Sequence, residues 1–248
     1  MFPIRDHNPS GRLPFVTYTL IALNCLIFLS YVSGINDPYV FGPILDNYAL
    51  IPAEISRGGA PQTALTSLFL HAGWMHLIGN MLFLWIFGDN MEDAFGHFGF
   101  LAFYLVSGVA ADAAHVLANP DSPQPLVGAS GAIAGVMGGY LLLFPRAKVD
   151  VLFIFIIFFK VFSFSAWIVL IIWLGIQIFH GVGSGPAGGG VAYWAHAGGF
   201  VAGMALALPY WLRRGGPGFW AETEGHPPHP EQDIPARISN IPVVRRRK

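Results

Sequence analysis

The chain has 248 residues, of which 54% are hydrophobic and only 11% are charged. Soluble domains carry about 25% charged residues, so this composition excludes an ordinary soluble domain and indicates an integral membrane protein. The formal net charge of -1 says little, because in a membrane protein the placement of charge matters more than its sum. The single cysteine, Cys25, allows no intramolecular disulfide and suggests no thiol–metal site.

The first predicted element is a transmembrane helix over Phe15–Ser33. Its apolar run is longer than a signal-peptide core, which has about 7–15 residues, and no small-residue cleavage site follows it. The next stretch, Gly34–Thr66, is polar, contains proline and carries scattered aromatic residues. We expect this long first loop to lie partly in the membrane interface.

Three further spans are predicted in the middle of the chain, at Trp74–Phe87, Phe98–Leu117 and Ser130–Phe144. An acidic loop, Gly88–Gly96, separates the first two, and a proline-rich loop precedes the last. A crossing takes about 20 residues, so the fourth span is short and must begin below the membrane surface. Ser130 is then reached by a re-entrant loop, which a membrane tolerates only where protein or water shields the backbone.

The apolar stretch 149–182 is too long for one crossing. We divide it into an interfacial segment, Val149–Phe162, and a fifth span, Phe164–Phe179; the alternative is two spans here and seven in all. The glycine-rich loop Gly181–Gly190 is expected to be mobile, and the sixth span is Trp194–Leu212.

The predicted fold class is therefore an all-α membrane protein, a bundle of six transmembrane helices whose short, submerged fourth helix carries a serine. The chain divides into an N-terminal segment, 1–14, the six-span domain, 15–212, and a proline-rich tail, 213–248, expected to be disordered. With six spans, both termini share a side with every Lys and Arg except Arg57. The positive-inside rule then makes both termini cytoplasmic.

Ser130 stands where the proline-rich loop gives way to the fourth helix, within Gly128-Ala129-Ser130-Gly131. The first turn of a helix has unpaired backbone N–H groups, so this position can hold a nucleophile beside an oxyanion site. The alternative is that Ser130 only caps the helix or packs it against a neighbour.

The second span carries His76 and Asn80, which are four residues apart and share a helix face. Polar groups inside a membrane helix usually face the bundle interior. They could simply hydrogen-bond between helices. A metal site is disfavoured because the pattern His71-x4-His76 contains no carboxylate.

The sixth span presents His196 on a stripe of small residues, since Gly199 and Gly203 follow it at i+3 and i+7. Such a stripe lets helices pack backbone to backbone. The expected neighbour is the fourth helix, whose own glycines are Gly131, Gly135 and Gly138. This packing would bring His196 within reach of Ser130.

Together these motifs resemble the rhomboid intramembrane serine proteases. The resemblance rests on Gly-Ala-Ser-Gly at 128–131, His-x4-His-x3-Asn at 71–80 and His-x2-Gly-x3-Gly at 196–203, in this order on matching spans. It covers about Phe15 to Leu212. The long first loop and Glu92-x3-Gly96 also fit.

The resemblance implies a catalytic dyad, with Ser130 as the nucleophile and His196 as the general base. The implied oxyanion stabilisers are Asn80, His76 and the backbone N–H of Ser130 together with Ala129. The implied supporting positions are His71, Gly128, Gly131, Gly199 and Gly203. Two positions depart from the family pattern. Ala134 replaces an aromatic residue that stacks on the histidine in many relatives, and Ala94 replaces an arginine after the loop glutamate.

The function implied is a serine endopeptidase that cleaves transmembrane segments of single-pass proteins near the extracytoplasmic side, without cofactor or metal. Its partners would be substrate helices and the lipid bilayer, with no nucleic acid, and its expected location is a bacterial cytoplasmic membrane. One alternative is an inactive rhomboid-like protein that binds transmembrane helices. Another is a transporter or channel that relays protons or metal ions through His71, His76 and His196.

Overall fold

The computed structural model describes residues 2–155, 158–183 and 191–226. Most of the predicted mobile loop Gly181–Gly190 and of the predicted disordered tail lies outside these ranges. The described α-helices are α1 Phe15–Tyr31, α2 Pro38–Tyr48, α3 Pro52–Ser56, α4 Thr63–Thr66, α5 Trp74–Phe95, α6 His97–Ala118, α7 Ser130–Leu143, α8 Ala166–Gly183, α9 Tyr193–Arg213 and α10 Pro217–Thr223. The strands are β1 Phe2–Asp6, β2 Lys148–Phe155 and β3 Phe158–Ser165.

Three helical segments of the described chain are long and apolar enough to cross a membrane: Phe15–Gly34, His97–Ala118 and Ala166–Gly183. A fourth candidate is the bent pair Thr63–Phe69 and Trp74–Phe95, whose two parts meet at 95°. The chain is therefore a mostly helical, multi-pass membrane protein.

Helix α7 lies at the centre of the bundle, since every residue from Gly131 to Leu143 is buried. Its small residues let α6 and α9 approach closely on two sides. A Cβ added to Gly108 of α6 would lie 3.2 Å from the Cβ of Ala132, and one added to Gly199 of α9 would lie 2.2 Å from the carbonyl oxygen of Gly131. The predicted packing between the fourth and sixth spans is thereby confirmed.

The predicted loop Gly88–Gly96 is wrong, because α5 continues as a helix to Phe95. The acidic residues there belong to the packing of the helix rather than to a solvated turn. The buried carboxylate of Glu92 accepts hydrogen bonds from the backbone N–H groups of Val16, at 3.0 Å, and Thr17, at 2.7 Å. Glu92 thus pairs the free N–H groups at the start of α1 across the bundle.

A three-stranded antiparallel sheet, in the order β1-β2-β3, corrects the all-α fold class. Strands β2 and β3 form a hairpin over 148–165, so the stretch 149–182 holds one long helix, α8, rather than two spans. An apolar run can form a strand or a helix, and its composition does not distinguish the two. Strand β1, which pairs with β2, lies more than a hundred positions away, so no local pattern indicates the sheet.

The buried side chain of Asp150, in β2, connects the three strands of this sheet. It accepts hydrogen bonds from Arg5 at 2.6 Å and from Ser163, and it contacts Nε2 of His7 at 2.9 Å. Burial alone would raise the pKa of Asp150, but these hydrogen bonds hold that pKa below its ordinary value.

Part of the predicted disordered tail is helical, because α10 spans Pro217–Thr223, which corrects that prediction for these residues. Phe219 of α10 is buried, and the indole N–H of Trp220 donates to the carbonyl oxygen of Leu142 at 3.0 Å. These two aromatic side chains give the segment an apolar face that packs against the end of α7. The remainder, 227–248, lies outside the described residues.

Candidate active site

The loop before α7 is held by the long first loop. Leu126 and Leu50 exchange two backbone hydrogen bonds, at 2.7 and 3.1 Å. The N–H of Gly128 donates to the carbonyl oxygen of Ser67 at 2.9 Å, and Gly128 has a φ of +125°, a conformation that favours glycine. These contacts fix the chain two residues before Ser130.

A buried carboxylate supports the same loop from α6. The hydroxyl of Ser67 donates to Oδ2 of Asp112 at 3.2 Å, and both side chains are buried. Ser67 therefore connects the backbone of Gly128 to the third long helix.

Helices α7 and α9 meet backbone to backbone below the serine. A Cβ on Gly203 would lie 2.0 Å from the carbonyl oxygen of Gly135, and a Cβ on Gly138 would lie 2.0 Å from that of Phe200. No side chain larger than hydrogen fits at either place, because a backbone carbonyl cannot move aside. The two helices consequently hold a fixed depth relative to each other.

This packing brings Ser130 and His196 together. Oγ of Ser130 lies 2.8 Å from Nε2 of His196, within normal hydrogen-bond distance. Ser130 begins α7, and His196 lies in the first turn of α9, so the pair sits at one end of both helices. A serine hydroxyl that donates to an unprotonated imidazole nitrogen is the arrangement of an activated nucleophile.

Two residues of α8 contact the other side of the His196 ring. Oε1 of Gln177 lies 2.8 Å from Nδ1 of His196. The ring of Trp173 packs over the imidazole, with centroids 5.8 Å apart and planes inclined by 36°. Both ring nitrogens of His196 thus have partners, and the ring is held on one face by an indole.

His76 and Asn80 reach the same loop from α5. A Cβ on Gly128 would lie 2.6 Å from Nε2 of His76 and 3.6 Å from Nδ2 of Asn80, so both nitrogens border the Gly128 backbone. Nδ2 of Asn80 is buried and has no hydrogen-bond partner among the described residues. Nδ1 of His76 accepts from the N–H of Ala72 at 3.5 Å, which leaves Nε2 as the nitrogen that carries the proton. The pair therefore offers two N–H donors beside Ser130.

Two further predicted positions, His71 and Ala129, lie beside these groups. His71 is fully buried, its ring meets that of His76 edge-on at 5.1 Å, and its backbone carbonyl and N–H bond to the hydroxyl of Tyr31 at 2.9 and 2.7 Å. Ala129 is fully buried, and its carbonyl oxygen accepts the first hydrogen bond of α7, from Ile133, at 3.0 Å.

A cavity of about 800 Å³ opens over the four polar groups. Ser130, His196, His76 and Asn80 all line it. Its walls combine apolar side chains, such as Met75 and Trp173, with the polar side chains of His115, Asn119, Ser122 and Gln124. The cavity is large enough for several residues of an extended peptide.

A family model described as the rhomboid domain matches residues 59–213, which is more than half of the chain. The chain belongs to the rhomboid family. It is 32% identical over 200 residues to the rhomboid protease GluP of Bacillus subtilis, covering 79% of this chain and 36% of that protein. It is 33% identical over 193 residues to the mitochondrial rhomboid protein 1 of Saccharomyces cerevisiae, covering 76% of this chain and 51% of that protein. The aligned part thus spans about a third to a half of the length of these two relatives.

The two positions that depart from the rhomboid pattern, Ala134 and Ala94, lie in different surroundings. Ala134 is fully buried, and the aromatic contact with the histidine comes instead from Trp173 of α8. Ala94 follows Glu92 at the end of α5, where the glutamate already bonds to α1 and contacts Nδ1 of His97 at 2.6 Å. In this rhomboid, Glu92 therefore has its hydrogen-bond partners without an arginine two residues later.

Sequence reasoning missed the α8 residues and the support from α6. Gln177 is an amide inside an apolar span, and it lies four residues after Trp173 on the same helix face. Polar residues in such spans are rare and usually face the bundle interior, which is the signal that could have identified Gln177. Asp112 carries the same signal in α6.

Proposed function

We propose that this rhomboid is an intramembrane serine endopeptidase that cleaves transmembrane segments of single-pass membrane proteins. The observation that carries the proposal is the 2.8 Å contact between Ser130 Oγ and His196 Nε2 at the floor of a cavity. The protease names printed for relatives such as GluP of Bacillus subtilis agree with it.

The proposed reaction is acyl transfer in two steps. Nε2 of His196 takes the hydroxyl proton as Ser130 Oγ attacks the scissile carbonyl, and it then gives this proton to the leaving amine as the C–N bond breaks. In the second step, a water molecule loses a proton to Nε2 and attacks the acyl ester. Collapse of the new intermediate returns the proton to Ser130 and releases the acid.

The proposed oxyanion site lies beside Gly128. The negative oxygen of each tetrahedral intermediate would accept from the side-chain amide of Asn80, from Nε2–H of His76 and from the backbone N–H of Ser130, with Ala129 completing the turn. Such donors are held in place before the reaction, and losing one typically lowers the rate by about 10²–10³. The unpaired, buried Nδ2 of Asn80 supports this role.

We further propose that six helices cross the membrane: α1, α5, α6, α7, α8 and α9. The cationic residues of the head, of the segment after α7 and of the tail would then lie on the cytoplasmic side with both termini. The Ser130 end of α7 would face the opposite side, below the membrane surface. The proposed location is a bacterial cytoplasmic membrane, and cleavage would occur near the outer end of the substrate helix.

The proposed reaction also limits which substrate segments can be cleaved. A closed helix hides its carbonyl groups in hydrogen bonds, so a scissile bond must lie where the substrate helix can unwind. We expect small or helix-breaking residues near the cleaved bond, because they lower the cost of unwinding.

The test is cleavage in proteoliposomes that contain the purified full chain and a panel of single-pass substrates, with mass analysis of the products. Wild type should give two fragments cut inside the apolar segment, and Ser130→Ala and His196→Ala should give none above background. Undiminished cleavage by either variant would remove the proposal. Binding of substrate helices without any cleavage by wild type would favour a non-catalytic family member.

A further inference from the structure

His196 has a second hydrogen-bond partner, beside Ser130, that the family motifs do not contain. Gln177 lies in the C-terminal half of α8 and is 7% exposed. Its Oε1 lies 2.8 Å from Nδ1 of His196, and its Nε2 donates to the backbone carbonyl of Trp173 at 3.3 Å. The amide thus bridges its own helix and the imidazole ring.

The two contacts of Gln177 fix the direction of the hydrogen bonds. The Trp173 carbonyl can only accept, so the Gln177 nitrogen must face it, and the Gln177 oxygen must face His196. An oxygen acceptor requires a proton on Nδ1 of His196. The neutral ring then has an unprotonated Nε2, which is the nitrogen that contacts the Ser130 hydroxyl at 2.8 Å.

We propose that Gln177 is a positioning residue that holds His196 in the tautomer and ring orientation needed to accept the Ser130 proton. This inference rests on the proposed function and adds to it a third group that the Ser–His dyad otherwise lacks. Gln177 acts through His196 and touches neither the scissile bond nor the nucleophile.

Among the described residues, Gln177 is the side chain placed to hold the tautomer of His196. Within the described ranges, the side chains that hydrogen-bond to His196 are Ser130 and Gln177. His76 and His115 line the same cavity, but among the described residues no hydrogen bond joins either ring to His196. Without Gln177, a neutral imidazole would distribute its proton between both nitrogens, and the Nε2–H form cannot act as the base.

The hydrogen bonds of Gln177 also explain why an amide side chain is buried in an apolar helix. Burying an amide in an apolar span without partners costs free energy, so such a residue is retained where its hydrogen bonds are satisfied. Gln177 satisfies its oxygen through His196 and one N–H through Trp173. The neighbouring face of α8 is apolar, with Ile176 and Ile178 each 44% exposed.

The orientation of His196 therefore depends on the position of α8. Both contacts that orient its ring, from Trp173 and from Gln177, lie one turn apart on that helix. Ser130 and His196 are held by the glycine contact of α7 with α9, whereas the tautomer is set from a third helix. A variant can then disturb the base and leave the α7–α9 contact intact.

The experiment compares two substitutions of similar volume in the full chain. Gln177→Met keeps the length of the side chain and removes the acceptor oxygen, and Gln177→Glu keeps an acceptor oxygen at the same position. Ile176→Met, on the exposed face of α8, controls for a methionine in this helix. The measurements are kcat and KM for a cleaved substrate in proteoliposomes, and the rate at which a fluorophosphonate labels Ser130.

Gln177→Met should lower kcat and the labelling rate by about 10- to 100-fold, since small misplacements of a reacting group cost rates of this order. KM should stay unchanged, because the hydrogen bond from His196 to Gln177 serves the transition state and does not contribute to substrate binding. The unfolding temperature should fall only slightly, since few buried hydrogen bonds are lost. Gln177→Glu should retain rates within a few fold of wild type. A purely structural role would give the reverse order, with methionine tolerated and the carboxyl group harmful.

A spectroscopic measurement tests the tautomer without any turnover. Nitrogen-15 NMR of histidine-labelled protein in detergent, with His196 assigned through His196→Ala, should show the proton on Nδ1 in wild type. Gln177→Met should shift the population towards Nε2–H. A wild-type ring with its proton on Nε2 would overturn the inference even if every variant failed to fold.

The outcomes separate the two proposals. Wild type that never labels at Ser130 overturns both the proposed function and the role of Gln177. Wild type that labels, together with a Gln177→Met variant that labels and cleaves at the wild-type rate, overturns the role of Gln177 alone.

Discussion

A Cβ on Gly199 would lie 2.2 Å from the carbonyl oxygen of Gly131, so α9 and α7 touch backbone to backbone within one turn of His196 and Ser130. This contact fixes the spacing between two helices whose first turns carry His196 and Ser130. The proposed chemistry depends on that spacing, because a hydrogen bond requires its two heavy atoms to lie within about 2.5–3.2 Å of each other in a nearly linear arrangement.

The glycine contact predicts the effect of a single methyl group. Gly199→Ala should force α7 and α9 apart, lower the free energy of unfolding by about 1–3 kcal/mol and slow the labelling of Ser130. Thermal unfolding in detergent and the labelling rate measure both effects. The matched control is Gly175→Ala in α8, where an added Cβ meets no atom within 4 Å. Equal behaviour of the two variants would contradict the close helix contact.

Glu92 should matter for stability rather than for chemistry. Its carboxylate accepts from the N–H groups of Val16 and Thr17 and from the Thr17 hydroxyl at 2.8 Å. Glu92→Ala would leave these buried donors unpaired, at about 1–3 kcal/mol each. Glu92→Gln keeps one acceptor oxygen and should lose less. Thermal unfolding should rank the proteins wild type, glutamine, alanine; an alanine variant as stable as wild type would refute the capping role.

Asp6 should make the stability of the sheet end depend on pH. Burial raises the pKa of the Asp6 carboxyl to about 8, with the Asp89 carboxylate adding to the effect, and the Tyr140 hydroxyl donates to Asp6 at 2.7 Å. The folded protein thus keeps a proton that the unfolded chain loses near pH 4, so this contribution to stability falls as pH rises and is lost above about pH 8.

Unfolding of wild type and Asp6→Asn between pH 5 and pH 9 checks this dependence. Wild type should lose stability across the range, and Asp6→Asn, which stays neutral, should lose less of it. Parallel curves for the two proteins would show that Asp6 is not the group that titrates.

Asp112 should affect the rate through the loop before Ser130. Asp112→Asn keeps an acceptor for the Ser67 hydroxyl, and Asp112→Leu removes it. A lost hydrogen bond of about 0.5–1.5 kcal/mol corresponds to a fall of about 2- to 10-fold in the labelling rate of the leucine variant, with the asparagine variant near wild type. Identical rates for all three proteins would mean that Asp112 does not position this loop.

The sequence predicted the parts of the site that depend on local pattern. Ser130 at a loop-to-helix boundary and His196 on a glycine stripe could be paired because small residues recur at helical spacing on both spans. The pairing of His76 with Asn80 followed from their four-residue separation on one helix.

The missed features depend on residues that are distant in the chain. The N-terminal strand pairs with Lys148–Phe155, and no local pattern links these segments. The sequence predicts a loop at the acidic end of α5, because the partners of Glu92, at the start of α1, lie 75 and 76 positions away. The polarity of Gln177 marks it in the sequence, but its partner His196 lies 19 positions away on another helix, so the contact between them has no local signal.

The central claim is that His196 activates Ser130, and the most direct measurement is mass spectrometry of the full chain after reaction with a fluorophosphonate. Wild type should carry one phosphonyl group, located on Ser130 after digestion, and His196→Ala should carry almost none in the same time. An adduct on another residue, or a His196→Ala protein that reacts at the wild-type rate, would contradict the account.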